Sequence, residues 1–384
     1  MSKISFFYTD RFQNYNLGLN HPLQPIRIKR TYDLLNELGA WESIDVQNPE
    51  PCTREDLKDI HSDEYLSFTE MLSNGQRPPS YRHFGFGTPD NPIFPGMWES
   101  SLLYSGASKN AAEAVIDGQR LAINISGGLH HAHFNGASGF CIFNDCVLAI
   151  KTLLKKFRRV AYVDIDVHHG DGVQEAFYKD SRALTVSIHE TGKTLFPGTG
   201  FTEEIGAGVG RGYAVNLPLW PYTDGETWLH AWREIGLKRL QAFSPDVVVM
   251  QMGADAHILD PLGHMNVTGS FWLEAIRDVK KLELPMVALG GGGYNQTVVP
   301  LLWSLAIMEL ADLQLPNDEL LDKLEKEERN PLNYPSLIGN EDIHQDVTKY
   351  ANSYAMQMVK ESQGILRPWL NGDVRMLERI EMNH

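Results

Sequence analysis

From about residue 100 onward, short apolar runs alternate with segments of helical spacing. The runs are Leu121–Ile125 (LAINI), Val160–Val167 (VAYVDIDV), Leu184–His189 (LTVSIH), Val247–Met252 (VVVMQM) and Met286–Leu289 (MVAL). They are short and often β-branched, the pattern of strands buried on both faces. Between them, Trp228, Trp232 and Ile235 share one face of a helix expected over about 225–242. Phe271, Ile276 and Val279 mark a second, and 143–157 closes on Lys155, Lys156 and Arg158, which suit a helix C-terminus. Strand–helix alternation predicts an α/β fold: a single-domain, three-layer α/β/α arrangement around a mostly parallel sheet. The stretch from His21 to about Pro95 carries HPLQP, RPP, GFGTPDNP and FPG, loop punctuation expected to form a rim or lid. From about 317 the chain reads as an acidic helix (NDELLDKLEKEERN) followed by irregular structure. Residues 1–384 are thus expected to form one domain, with a core over about 20–315 and a C-terminal helix and tail over about 316–384.

The polar residues sharpen this picture. Four of the five runs are followed at once by polar or glycine-rich clusters: SGGLHHAH with His130, His131 and His133; Asp164, Asp166, His168, His169 and Asp171; Gly-Ala-Asp255; and Gly290–Gly293 before Tyr294. In open α/β sheets, ligands bind at the carboxyl ends of the strands, where such loops converge. One site built from four loops is therefore expected.

Alternation in an extended segment puts Asp164, Asp166 and His168 on one side. Inward-facing carboxylates on an apolar strand carry a large desolvation cost unless a cation or donors match them. Asp166, His168 and Asp255 offer two oxygens and a nitrogen and leave an open position, which suits catalytic zinc; iron(II) or cobalt also fits. The competing reading is an acidic strand end capped by helix N-termini or Arg. His130 and His131, in tandem after a Gly-Gly turn, are candidate acid–base groups, with Asp164 and Asp171 available to orient their rings. The glycines before Tyr294 let the backbone pass close to a ligand and bring the hydroxyl to a developing oxyanion. No Lys-Ser/Thr follows them, so they are not a phosphate loop, and GAGVGRG at 206–212 leads into a strand-like stretch rather than a helix.

Composition then excludes several classes. Lys and Arg number 34 against 49 Asp and Glu, a formal charge of −15, so no basic stripe for nucleic acid is expected. Three cysteines, Cys52, Cys141 and Cys146, form no CxxC and suggest neither a disulfide framework nor a Cys-rich zinc module. The apolar run Val298–Met308 is broken by Pro300 and Ser304, too short for a membrane span. The start, MSKISFFYTDRFQ, lacks a signal peptide's apolar core, so a cytoplasmic location is expected. An acidic surface attracts a cationic substrate or peptide.

The series GGLHHA, GFCIFND, YVDIDVHHGDGVQEAF, VSIHE, FPGTG, GADAHILDP and LGGGGYN resembles the zinc-dependent histone deacetylase family, including its acetoin-utilisation and acetylpolyamine amidohydrolase members. The likeness runs from NHPLQPIR to about Tyr294, roughly three-quarters of the chain. It implies a fold shared with arginases, and hydrolysis of an N-acyl amine, with acylated lysine in peptides or proteins favoured over acetylpolyamines. By resemblance Asp166, His168 and Asp255 are the zinc ligands, His131 the general base and then acid, His130 its electrostatic partner, and Asp164 and Asp171 their orienting carboxylates. Tyr294 polarises the carbonyl. Gly139, Phe140 and Phe196 line a narrow tunnel, Asp90 holds substrate backbone at the rim, and apolar Leu262 stands at the mouth. A structural potassium ion is implied at Asp164, Asp166, His168, Ser187 and Ile188. Arginase-type two-metal chemistry needs a further ligand where this chain has Gly170. A non-catalytic acyl-lysine binder is the alternative of another class, although every catalytic group is present.

Overall fold

The protein, described by a computed structural model over residues 4–313, 319–329 and 341–370, is built on one sheet of eight parallel strands. They are β1 (Ile4–Phe7), β2 (Asp45–Gln47), β3 (Leu121–Asn124), β4 (Val160–Asp164), β5 (Ala183–Glu190), β6 (Ala214–Leu219), β7 (Val247–Gln251) and β8 (Met286–Leu289). Their order is β2-β1-β3-β8-β7-β4-β5-β6. All five predicted runs are strands. β1 and β2 extend one edge; β6, the strand-like stretch after GAGVGRG, closes the other.

Helices cover both faces, completing three layers. Helices Met97–Ile116 and Asp145–Leu153 pack together, the first of them lying on β1, β3 and β8. On the other side, helix Ile26–Glu37 packs on Val298–Leu310, and that helix on Gly269–Lys280. The central strands are buried along their whole length, which is why their sequences lack apolar–polar alternation.

The register decides where chemistry can occur. Asn124 pairs with Leu289, Leu289 with Gln251, and Gln251 with Asp164. The last residues of β3, β8, β7 and β4 therefore stand level, and four loops leave the sheet side by side.

Three expectations need correction. The second run stops being a strand at Asp164, so Asp166 and His168 lie in the loop and strand alternation does not set their direction. The loop-rich stretch 21–95 contains helices Ile26–Glu37, Arg54–Leu57 and Asp63–Ser73; its Pro and Ser residues mark their starts, with Pro25 before the first and the Ser62 side chain capping the third. The acidic helix is present as Glu319–Glu328, but the expected irregular tail contains a further helix, Glu341–Leu370, packed on β6. The rest of that tail, 330–340 and 371–384, lies outside the described residues.

Candidate active site

Buried polar groups from strands, helices and neighbouring loops hold these loops in place. After β3, the turn at Gly127–Leu129 is fixed by buried Asp145, which accepts from Gly128 N (2.9 Å), Leu129 N (2.8 Å) and the Ser108 hydroxyl (2.6 Å). That turn delivers His130 and His131, whose Nε2 atoms stand 3.0 Å apart. His130 Nδ1 meets Asp164 Oδ2 at 2.7 Å, and His131 Nδ1 meets Asp171 Oδ1 at 2.7 Å. Both dyads are buried. Against the penalty of burial, Asp164 and Asp166 hold His130 up at about 9. Burial, then the charge of His130, pushes His131 down to about 4. One imidazole is thus kept cationic beside another kept neutral, a division fit for an electrostatic partner and a base.

Asp166, His168 and Asp255 bring one ligand atom each within 4.8 Å of one another. The outer oxygens are occupied: Asp166 Oδ2 accepts from Gly292 N and Gln251 Nε2, both at 2.7 Å, and Asp255 Oδ1 accepts from Val167 N at 2.8 Å. The inner ones, Asp166 Oδ1 and Asp255 Oδ2, lie 3.1 and 3.0 Å from His168 Nδ1. Burial, then the neighbouring Asp166, raises Asp255 to about 6, with His168 working in the opposite direction. The surroundings leave no room for side chains: a Cβ on Gly292 would stand 1.9 Å from Asp255 Oδ2, and one on Gly253 2.3 Å from Asp166 Oδ2. Two carboxylates and one imidazole in a dry cradle suit a divalent transition metal.

Tyr294 leaves β8 through the glycine run, and its amide donates to Asp260 Oδ2 at 2.7 Å. Its ring packs edge-on against Phe140, centroids 5.7 Å apart, and Phe140 packs in turn on His21 at 4.4 Å. Phe140 sits at φ +70°, with its carbonyl accepting from the Tyr15 hydroxyl at 2.7 Å. Phe196 forms a separate wall, 4.9 Å from the His131 ring and 6.4 Å from His168. A Cβ on Gly139 would lie 2.4 Å from the His131 ring and 2.9 Å from that of Phe196, so only glycine fits there. Asp90 is exposed, and its carbonyl is 3.3 Å from His21 Nε2, beside the Phe140 wall. Half-buried Leu262 donates its amide to Asp260 Oδ1 at 2.9 Å, so one carboxylate ties the Tyr294 and Leu262 loops together. Ser187 lies opposite Asp164 in register; its hydroxyl meets His189 Nδ1 at 2.8 Å, and the Ile188 side chain is buried.

The sequence reading omitted Gln251, Asp145, Asp260 and Tyr162, whose hydroxyl donates to Asp164 Oδ2 at 2.7 Å. Gln251 is the polar residue of VVVMQM, and Tyr162 carries a hydroxyl two residues before Asp164 on the same strand; a polar group buried in a strand needs a partner, and that was their signal.

The family model described as a histone deacetylase domain matches residues 21–310. Acetoin utilization protein AcuC of Bacillus subtilis (strain 168) is 40% identical over 324 residues, spanning 82% of this chain and 84% of that protein. Histone deacetylase 1 of Homo sapiens is 39% identical over 320 residues, 82% of this chain and 66% of that protein. Histone deacetylase B of Dictyostelium discoideum is 39% identical over 323 residues, 83% and 76% of the two chains. With this match and a buried Asp-His-Asp group at the carboxyl edge, the chain belongs to the histone deacetylase family of metal-dependent hydrolases, and it is an amidohydrolase acting on N-acylated amines.

Proposed function

We propose that the chain is a single-domain zinc enzyme that removes acetyl or related acyl groups from the ε-amine of lysine in peptides or proteins, in the cytoplasm. Asp166, His168 and Asp255 would hold the zinc, with iron(II) able to replace it, and Asp164, Asp166, His168, Ser187 and Ile188 would hold a structural potassium ion. The observation that carries this reading is the convergence of two His–Asp dyads on one side of the Asp-His-Asp group.

When bound, the divalent cation supplies Lewis-acid polarisation of the amide carbonyl and acidifies a water. His131 takes the proton of the attacking water at Nε2, because its Nδ1–H is committed to Asp171. His130, held cationic by Asp164, favours negative charge building up nearby. The Tyr294 hydroxyl donates to the carbonyl oxygen as it gains charge; burial, then Asp255, raises its pKa, so it remains a donor throughout the working range. Protonated His131 then passes its proton to the departing amine. Phe140 and Phe196 flank the slim methylene stem of lysine, Gly139 leaves space between Phe196 and the base, and Asp90 accepts from substrate backbone at the rim. Apolar Leu262 at the mouth favours peptides over polyamines, whose added charge would need a carboxylate there.

The test is a deacylation assay on zinc-loaded protein with acetyl-lysine peptides and acetylpolyamines in parallel, with and without a hydroxamate. Hydroxamate-sensitive turnover favouring the peptides is expected. Preference for polyamines would replace the substrate class, and no turnover of either with metal bound would favour the binder reading.

A further inference from the structure

His133, the third histidine of HHAH, takes no part in the chemistry above. Its backbone is fixed: its amide donates to Gly136 O at 2.9 Å, and its carbonyl meets His61 Nδ1 at 2.9 Å. Its ring lies over the first turns of helix Asp171–Phe177, which places Asp171 and Glu175 one turn apart on the same face. His133 Nε2 stands 3.3 Å from Asp171 Oδ2, and Nδ1 bonds Glu175 Oε2. Asp171 is therefore shared: Oδ1 faces the buried His131 Nδ1 and Oδ2 faces His133, whose side chain is 37% exposed.

We propose that His133 is a positioning residue for the general base, a surface imidazolium that grips the far oxygen of Asp171 and so sets how the near oxygen holds His131. The inference rests on His131 acting as the base. Its physical ground is the donor count. Both ring nitrogens face carboxylate oxygens, which only accept, so both must carry hydrogen and the ring must be cationic. A neutral imidazole would turn a lone pair toward one of the carboxylates. The hydrogen bonds with Asp171, then Glu175, hold His133 up at about 10. Asp171, despite burial, is held below the ordinary carboxylate range by His131 and His133. The other titratable groups nearby are His61, behind the His133 carbonyl, and Lys151, which donates to the Asp59 carbonyl.

The cation has a directional effect. It offsets part of the Asp171 charge felt by His131, adding to the downward push of burial and His130 on the base, and it prevents the carboxylate from rotating away. An isolated exposed ion pair contributes little, but here one end of the pair is a carboxylate that also orients a buried catalytic ring.

The experiment is the pH profile of H133Q and H133K, read beside nitrogen chemical shifts of the histidine rings in the zinc-loaded wild type. The shifts should show both His133 nitrogens protonated at pH 7. In H133Q the acid limb of kcat/KM should move up by about half a unit to one unit, with kcat falling more than KM changes. H133K, which keeps the charge, should restore the limb. A neutral His133 at pH 7, an unmoved limb in H133Q, or a limb displaced equally in H133K would overturn the proposal. If H133Q does not fold, E175Q on the exposed helix face reads the same coupling: the His133 titration should fall, and an unchanged one overturns the proposal. Retention of the acid limb in H131A would instead break the base assignment, while the His133 shifts would still report whether the cation exists.

Discussion

The two edges of the sheet hold similar residues under opposite physical conditions. At the amino edge, where β3 and β8 begin at Leu121 and Met286, a cavity of about 460 Å3 is lined by Arg120, Arg277, Lys280, Lys281, Glu309 and Asp312, among others. Its charges cancel locally: Arg277 and Lys280 each lie 2.9 Å from Glu309, and Lys280 and Arg120 lie 2.8 and 2.9 Å from Asp312. These side chains are partly exposed, so water screens them, and removing one leaves the others solvated. At the carboxyl edge, Asp164, Asp166, Asp255, His130, His131 and His168 are buried, and the carboxylates are faced by imidazoles, whose charge depends on a proton. Buried charge matched by groups that can gain or lose a proton is what makes a site chemically able; an open cleft of solvated, permanently charged pairs is not.

Substitutions can break this contrast, and the largest effect is expected at Asp255. D255A should lose both stoichiometric metal and turnover, read by metal analysis beside the assay; retained metal would remove Asp255 from the ligand set. Y294F should keep the metal and lose ~10²–10³ in kcat, as expected for one oxyanion donor, and near-normal turnover would refute the role of the hydroxyl.

His61 sharpens the comparison through pH. Its Nε2 accepts from Asn144 N at 3.0 Å, and burial pushes its pKa down to about 3. The folded pKa lies below the unfolded value, so the unfolded chain takes up the proton first. The contribution of His61 is therefore intact above ~6.5 and is lost as pH falls from there toward 3, by about 1.4 kcal/mol per unit. Urea unfolding at pH 7, 6 and 5 should show a shallower loss in H61Q than in wild type; parallel slopes would contradict this. The smallest effect belongs to the amino edge: K280A should cost ~1 kcal/mol or less and leave kcat/KM unchanged. A large loss of activity there would mean that the two edges are coupled.

Much of the carboxyl edge was legible because each strand announces its end. Apolar runs that stop at His-His, Asp-x-Asp-x-His, Gly-Ala-Asp and Gly-Gly-Gly-Gly-Tyr mark both the strand and its functional loop. The helix Glu341–Leu370 was equally legible and was missed: Ala351, Ala355, Val359, Ser362, Leu366 and Trp369 are buried and recur at intervals of three or four. Small and polar residues in that stripe weaken an apolarity signal without altering its period. β1 and β2 were harder to see, being only four and three residues long, below the length at which a pattern separates from chance.

That the chain forms a parallel α/β sheet with polar loops at one end of its strands can be read from residue order, because strand and turn patterns depend on residues close in the chain. Which carboxylate serves which partner is settled by the three-dimensional arrangement. Asp164 turns to His130 while Asp166, two residues on, turns to His168 and Asp255, because the strand ends between them. Asp171 stands between His131 and His133 because helix Asp171–Phe177 carries it there. Those assignments depend on the level register of Asn124, Leu289, Gln251 and Asp164 across four strands, and long-range pairing of that kind leaves no local trace in the order of residues.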